Sequence, residues 1–267
     1  MTLAIAFLAS VVLTGCYVTP EASVHPSRAP HVVRVMASPV CAPLLIAAEP
    51  IFERNHPGVN LELSFGSDEA DVDQTDTLIR DINAGADIDL FIAGDALDVQ
   101  RLMRAPLWTR PWIGNYLVVV RAGPSDLTMG DLFEGTCEVA IGLPRSALGW
   151  RTEQTLEHIG ALTTVYPRLG RYAGGMHIIE RVRWQGGGNW GPDETAGDVL
   201  GIVYATDARH IRLRNRGSVR IIEQLPNVPG SPITHTFAPY TPAGEAMTEW
   251  LKSALVERMA LDMGYVK

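Results

Sequence analysis

Three cysteines in 267 residues are too few for a disulfide framework, so stability has to come from a hydrophobic core. No CxxC pair, HExxH run or GxSxG elbow occurs, and the seven histidines are scattered without metal-ligand spacing. A lone histidine of that kind is more often a surface or satisfied core residue than a ligand. Phosphate-cradling loops are missing too, because Gly186, Gly187 and Gly188 neither follow a strand nor open a helix with a Lys-Ser/Thr pair. Catalysis therefore has no visible carrier. The basic residues form no stripe or tail, and the net charge is −8 with a pI near 5.4, which excludes the electrostatic footprint of a nucleic-acid binder. Internal repeats and low-complexity tracts are absent. Acidity does not choose the ligand and does not forbid an anion: backbone N–H groups at helix N-termini create a local positive potential that net charge does not report.

What is present fits a folded chain, with 46% apolar and 19% charged residues. Leu3 to Leu13, LAIAFLASVVL, is an apolar run of signal-peptide length and too short for a comfortable membrane span. Leu13-Thr14-Gly15-Cys16 follows at once and resembles the lipobox of bacterial lipoproteins, although no Lys or Arg precedes the run. That resemblance implies a signal peptide over 1–15, a diacylglyceryl group on Cys16, export, and attachment to a membrane. Residues 16–31, rich in Pro, Ser and Ala and without periodicity, read as a tether. Cys41 and Cys137 are expected to be unpaired and buried as small hydrophobes, with one disulfide between them as the alternative.

From Val32 onward strand-like and helix-like segments alternate. HVVRVMAS, VNLELSF, IDLFIAG, YLVVVRAG, CEVAIG, GIVYATD, VRIIEQL and PITHTFAPYT read as strands. Helices are expected over Pro39 to Asn55, Asp73 to Ala84, Gly149 to Ile159 and Ala243 to Met263. Such alternation predicts an α/β fold with mostly parallel sheet, and periodicity leaves open whether one wide sheet or two smaller ones form. Arg183 to Ala196, with its glycines between Trp184 and Trp190, reads as a long loop.

Three strands run into small-residue turns that open helices: Ser38-Pro39 after the first, Ser64-Phe65-Gly66-Ser67 after the second, and Gly142 to Gly149 after VAIG. Ser38 is a candidate N-cap with Pro39 at a position that tolerates a missing N–H. Ligands of open α/β sheets bind at such strand ends.

Gly201-Ile202-Val203-Tyr204-Ala205-Thr206-Asp207-Ala208 resembles a signature of the periplasmic molybdate-binding proteins of ABC transporters, which are type II solute-binding proteins. Val35-Met36-Ala37-Ser38, Ser64-Phe65-Gly66-Ser67, Ile88 to Asp95, Asn115 to Val120 and Val139 to Gly142 resemble further stretches of that family in the same order. The resemblance implies two lobes, 32–115 plus 215–267 and 116–214, joined by a hinge around a ligand cleft. It implies a monomer without a cofactor that closes on molybdate or tungstate and is recognised by an ABC permease. The donors it implies are the hydroxyls of Ser38, Ser67 and Tyr204 and the backbone N–H groups of Ala147 or Leu148 and of Met176. Neutral donors suit the task because they bury no countercharge. Thr75-Asp76-Thr77 competes with Ser67 when positions are counted back from Leu78. Asp68, Glu69, Asp71, Asp73 and Asp76 bring like charge near the proposed anion, unless they face solvent or cap the next helix. They motivate the alternative of a lipoprotein sensor or interaction module with a different ligand.

Overall fold

A computed structural model describes residues 31–66, 72–123, 125–183, 198–214 and 219–267. The chain builds two five-stranded sheets, each flanked by helices. The first sheet holds β1 (His31–Ala37), β2 (Val59–Ser64), β3 (Leu90–Ala93), β4 (Arg110–Asn115) and β10 (Ile233–Pro239), in the order β2-β1-β3-β10-β4. The second holds β5 (Leu117–Ala122), β6 (Glu138–Gly142), β7 (Leu169–Tyr172), β8 (Val199–Tyr204) and β9 (Val219–Gln224), in the order β7-β6-β8-β5-β9. Both are mixed in the same way. β2, β1 and β3 run parallel, as do β7, β6 and β8, and the two remaining strands of each sheet pair antiparallel.

Burial explains which strands announced themselves. β3 and β8 are covered on both faces and are apolar throughout, whereas the edge strand β2 alternates. β4 and β7 were not expected, and both are edges: β4 carries Pro111 and Gly114, and β7 is four residues long. Their propensity signal is weak for that reason.

Several boundaries differ from the sequence expectation. The first helix starts as a 3-10 turn, Pro39–Cys41, before α1 (Ala42–Asn55). GIVYATD ends as a strand at Tyr204, where α8 (Ala205–Arg214) begins. The closing helix is two helices, α9 (Pro242–Leu251) and α10 (Ala254–Asp262), because Ser253 adopts an extended conformation at φ −62°, ψ 149°. The glycine loop lies outside the described residues from 184 to 197. Cys41 and Cys137 are both buried and free.

The return from the second sheet to the first also falls later than residue 215. β9 pairs along β5, and Leu225 N–H donates to Leu117 C=O at 2.9 Å, so the chain crosses back only between Leu225 and Ile233. VRIIEQL shows that it is a strand but not which sheet edge it completes.

The other crossing is the single residue Tyr116 between β4 and β5. Asn115 Nδ2 donates to Thr206 Oγ1 at 2.9 Å and lies 3.3 Å from His235 Nε2, tying both sheets together there. In the first lobe Thr241 caps α9 by accepting from Gly244 N–H at 3.2 Å while donating to Asp89 at 2.6 Å. Thr241→Ala is expected to cost about 1 kcal/mol, read as a lower urea midpoint with an unchanged slope.

Candidate functional site

The C-terminal ends of β1, β3 and β8 face a cavity of about 600 Å³ between the lobes. From the first lobe it is lined by Ser38, Asp73, Thr75 and Asp98, and from the second by Ala147, Leu148, Met176, Tyr204 and Asp207.

Ser38 follows β1 and is fixed by its own N–H, which donates to Ile92 C=O at 2.9 Å. Its side chain makes no cap, contrary to the capping expectation. The hydroxyl instead lies 2.8 Å from Thr75 Oγ1, and both residues are buried. Gly94 is required for this placement, since a Cβ there would come within 2.5 Å of Ser38 Oγ. Thr75 stands in the first turn of α2 (Gln74–Asn83), where its N–H is held by the N-cap carboxylate of Asp73 at 2.8 Å. Of the two alignments for the second hydroxyl, Thr75 is the residue brought against Ser38. Ser67 lies outside the described residues, as do Asp68, Glu69 and Asp71. Asp76 pairs with Arg101 at 2.7 Å.

The opposite wall begins where β6 turns into α5 (Ala147–His158). Ser146 caps this helix, its hydroxyl accepting from Gly149 N–H at 3.0 Å and donating to Leu143 C=O at 2.9 Å. Trp150 N–H goes to Ser146 C=O at 3.0 Å. The open donors of the turn are therefore the N–H groups of Ala147 and Leu148, at the positive end of a twelve-residue helix. A side chain at Gly149 would overlap the Leu143 carbonyl, so the tight turn needs glycine. Met176 occupies the first turn of α7 (Gly175–Arg183), which turns a second helix N-terminus toward the cavity, and its own side chain is 41% exposed.

Tyr204 ends the fully buried β8, and its hydroxyl is buried without a hydrogen-bond partner among the described residues. Burial, followed by the carboxylates of Asp95, Asp98 and Asp73, pushes its ionisation far above the ordinary value. It stays a neutral O–H donor, in a residue that lines the cavity. An orphaned buried hydroxyl costs free energy, which points to a ligand acceptor.

The cavity also carries carboxyl groups: Asp73, which the sequence placed near the site, and Asp98 and Asp207, which it did not. Burial raises Asp73 to about 6, Asp98 to about 8 and Asp207 to about 7. Asp98 receives the Asp95 N–H at 3.2 Å, closing the cap of α3 (Ala96–Val99). Sequence carried a hint of Asp207, inside the GIVYATDA stretch, and none of Asp98. Near neutral pH, Asp98 is largely protonated in this setting and adds little like charge to the cavity. Among the described residues no group of three or more His, Cys, Asp or Glu side chains is placed to hold a metal ion, and no helix is long and apolar enough to cross a membrane.

The chain resembles known proteins in sequence and in fold. The chain is 31% identical to the molybdate-binding protein ModA of Escherichia coli strain K12, in a match spanning 58% of this chain and 58% of that protein. A substrate-binding domain of a putative molybdenum ABC transporter from Clostridium difficile superposes with a TM-score of 0.65 at 18% identity, covering 88% of this chain and 98% of that one. The periplasmic molybdate-binding protein of Azotobacter vinelandii superposes with a TM-score of 0.64 at 18% identity, covering 88% and 99%. Both structures share the two-lobed fold. The pattern of one family covers residues 33–266, nearly the whole of the chain from β1 to its C-terminal end, and by that match the protein belongs to the bacterial extracellular solute-binding proteins.

Proposed function

We propose that the protein captures a small oxyanion, molybdate or tungstate, in the interlobe cleft and delivers it to an ABC permease. In this reading it is exported, acts as a monomer, and is held at a membrane by a lipid on Cys16. The observation that carries the anion is the Tyr204 hydroxyl, unpaired among the described residues, in a residue that lines the cavity together with Ser38 and Thr75, whose hydroxyls pair, and with Ala147 and Leu148, whose N–H groups open α5. Hydroxyl and amide donors converge there from both lobes, so an anion touching all of them favours closure. Met176 N–H is a sixth donor candidate. Ser67 remains the alternative to Thr75 for the second hydroxyl.

Thermal melts of the mature protein with molybdate, tungstate, sulfate or phosphate test this reading. A binder at a hundred times its dissociation constant is expected to stabilise by about 2.7 kcal/mol. Unchanged melting with all four anions would sink it. The cleft carboxyls Asp73, Asp98 and Asp207 favour a second reading, a sensor or interaction module with a different ligand. Substitution at Tyr204 or Ser38 separates the two, since a transport receptor loses anion affinity and an interaction module keeps its partner.

A further inference from the structure

Among the described residues one ion pair crosses between the lobes. Arg151 belongs to α5 of the second lobe, and Asp95 follows β3 of the first. The guanidinium grips that carboxylate with two parallel bonds, Nε to Oδ2 at 2.7 Å and Nη2 to Oδ1 at 2.9 Å. Its remaining edge donates to Ser231 C=O at 3.0 Å and to Ser231 Oγ, just before β10 of the first lobe. The two side chains are 7% and 0% exposed.

We propose that Arg151 is a positioning residue for the cleft, holding the Ala147 and Leu148 donors in register with Ser38 before any ligand arrives. The pair is placed for that work at both ends. Arg151 lies one helical turn from the two donors, and Asp95 is adjacent to Gly94, whose backbone abuts Ser38 Oγ. An ordinary internal ion pair ties together parts of one lobe. This one joins α5 to the floor of the other sheet, so rotating the lobes apart breaks it. Net stabilisation from a buried pair is small, but separating its members leaves each charge without its partner and favours the joined arrangement. A ligand meeting lobes already in register does not spend binding energy on closing them, which raises its affinity.

The experiment compares small-angle scattering of the unliganded wild type with Arg151→Gln, Arg151→Lys and the double variant D95N/R151Q, followed by molybdate titration of each. The double variant leaves no lone buried charge, and the asparagine side chain introduced by D95N can still cap α3, so it is the arm least exposed to misfolding. The unliganded Gln and double variants should have larger radii of gyration than wild type, and saturating molybdate should return them to the wild-type value. Their molybdate affinity should fall about tenfold or more, with Arg151→Lys in between. The affinity arm rests on the oxyanion reading, whereas the scattering arm does not. Failure of wild type to bind molybdate would therefore count against that reading and leave scattering to decide this one. A folded double variant that scatters like unliganded wild type, or a wild type already open without ligand, would overturn the proposal.

Discussion

Tyr204→Phe is expected to weaken anion binding about 10- to 150-fold, the worth of one hydrogen bond to a charged acceptor of roughly 1.5–3 kcal/mol. The ligand-free protein should change in the opposite direction. The hydroxyl is buried and unpartnered among the described residues, so removing it deletes an unsatisfied group and leaves the packed ring of a residue only 5% exposed. Stability without ligand should hold or rise slightly. Calorimetric titration with molybdate and a urea curve of the unliganded variant measure the two effects. Loss of both affinity and stability would mean that the hydroxyl already has a structural role in the unliganded fold and is not held in reserve for an anion. Ser38→Ala lacks this contrast, because Ser38 already has Thr75 as a neighbour and its removal orphans that hydroxyl.

Rising pH between about 6.5 and 8.5 is expected to weaken both the fold and the anion site. Asp207 and Asp98 ionise near 7 and 8 in the folded protein against an ordinary 3.8. An acid whose folded value is raised keeps its proton where the unfolded chain has released it. Its contribution to stability is full below 3.8 and is lost as pH climbs through the folded value. Asp73, near 6, has largely passed through this change below the window. His235 runs the other way: burial lowers it to about 4, so its contribution is present above 6.5 and is lost on acidification. Between 4 and 6.5 the histidine and the carboxyls oppose one another, and above 6.5 the carboxyls act alone. Stability read from urea curves should therefore fall from pH 6.5 to 8.5, by about 3 kcal/mol in total for the two carboxyls.

Anion affinity should fall across the same window, because each newly charged carboxylate repels a dianion in the same cavity. Binding at pH 8 should draw protons from solution, visible as calorimetric heats that depend on the buffer. Asp98→Asn is expected to flatten both profiles above pH 7. Profiles that stay unchanged in this variant would place the titration elsewhere.

The site residues named from sequence were reached through the family resemblance, in short stretches that match it: Ser38 directly after the first strand, Ala147 and Leu148 at a helix start, and Tyr204 within GIVYATDA. The choice between Ser67 and Thr75 could not be read in the same way, because the acidic stretch between them shifts the count, and only packing brings Thr75 against Ser38. Asp98 was not visible as a cleft residue, since its spacing marks a helix cap and nothing local says what covers it. The Arg151–Asp95 pair spans 56 positions, beyond the reach of any periodicity.

Sequence by itself determined that this protein alternates strands and helices and that several turns present unpaired donors, because apolar period and capping chemistry act over a few residues. Only the tertiary structure decided that VRIIEQL completes the second sheet, that Tyr204 has no partner among the described residues, that three carboxyls line one cleft, and that an arginine of one lobe is anchored in the other. Those outcomes depend on desolvation and on contacts between distant segments, which exist once the chain has packed and have no local signature before it does.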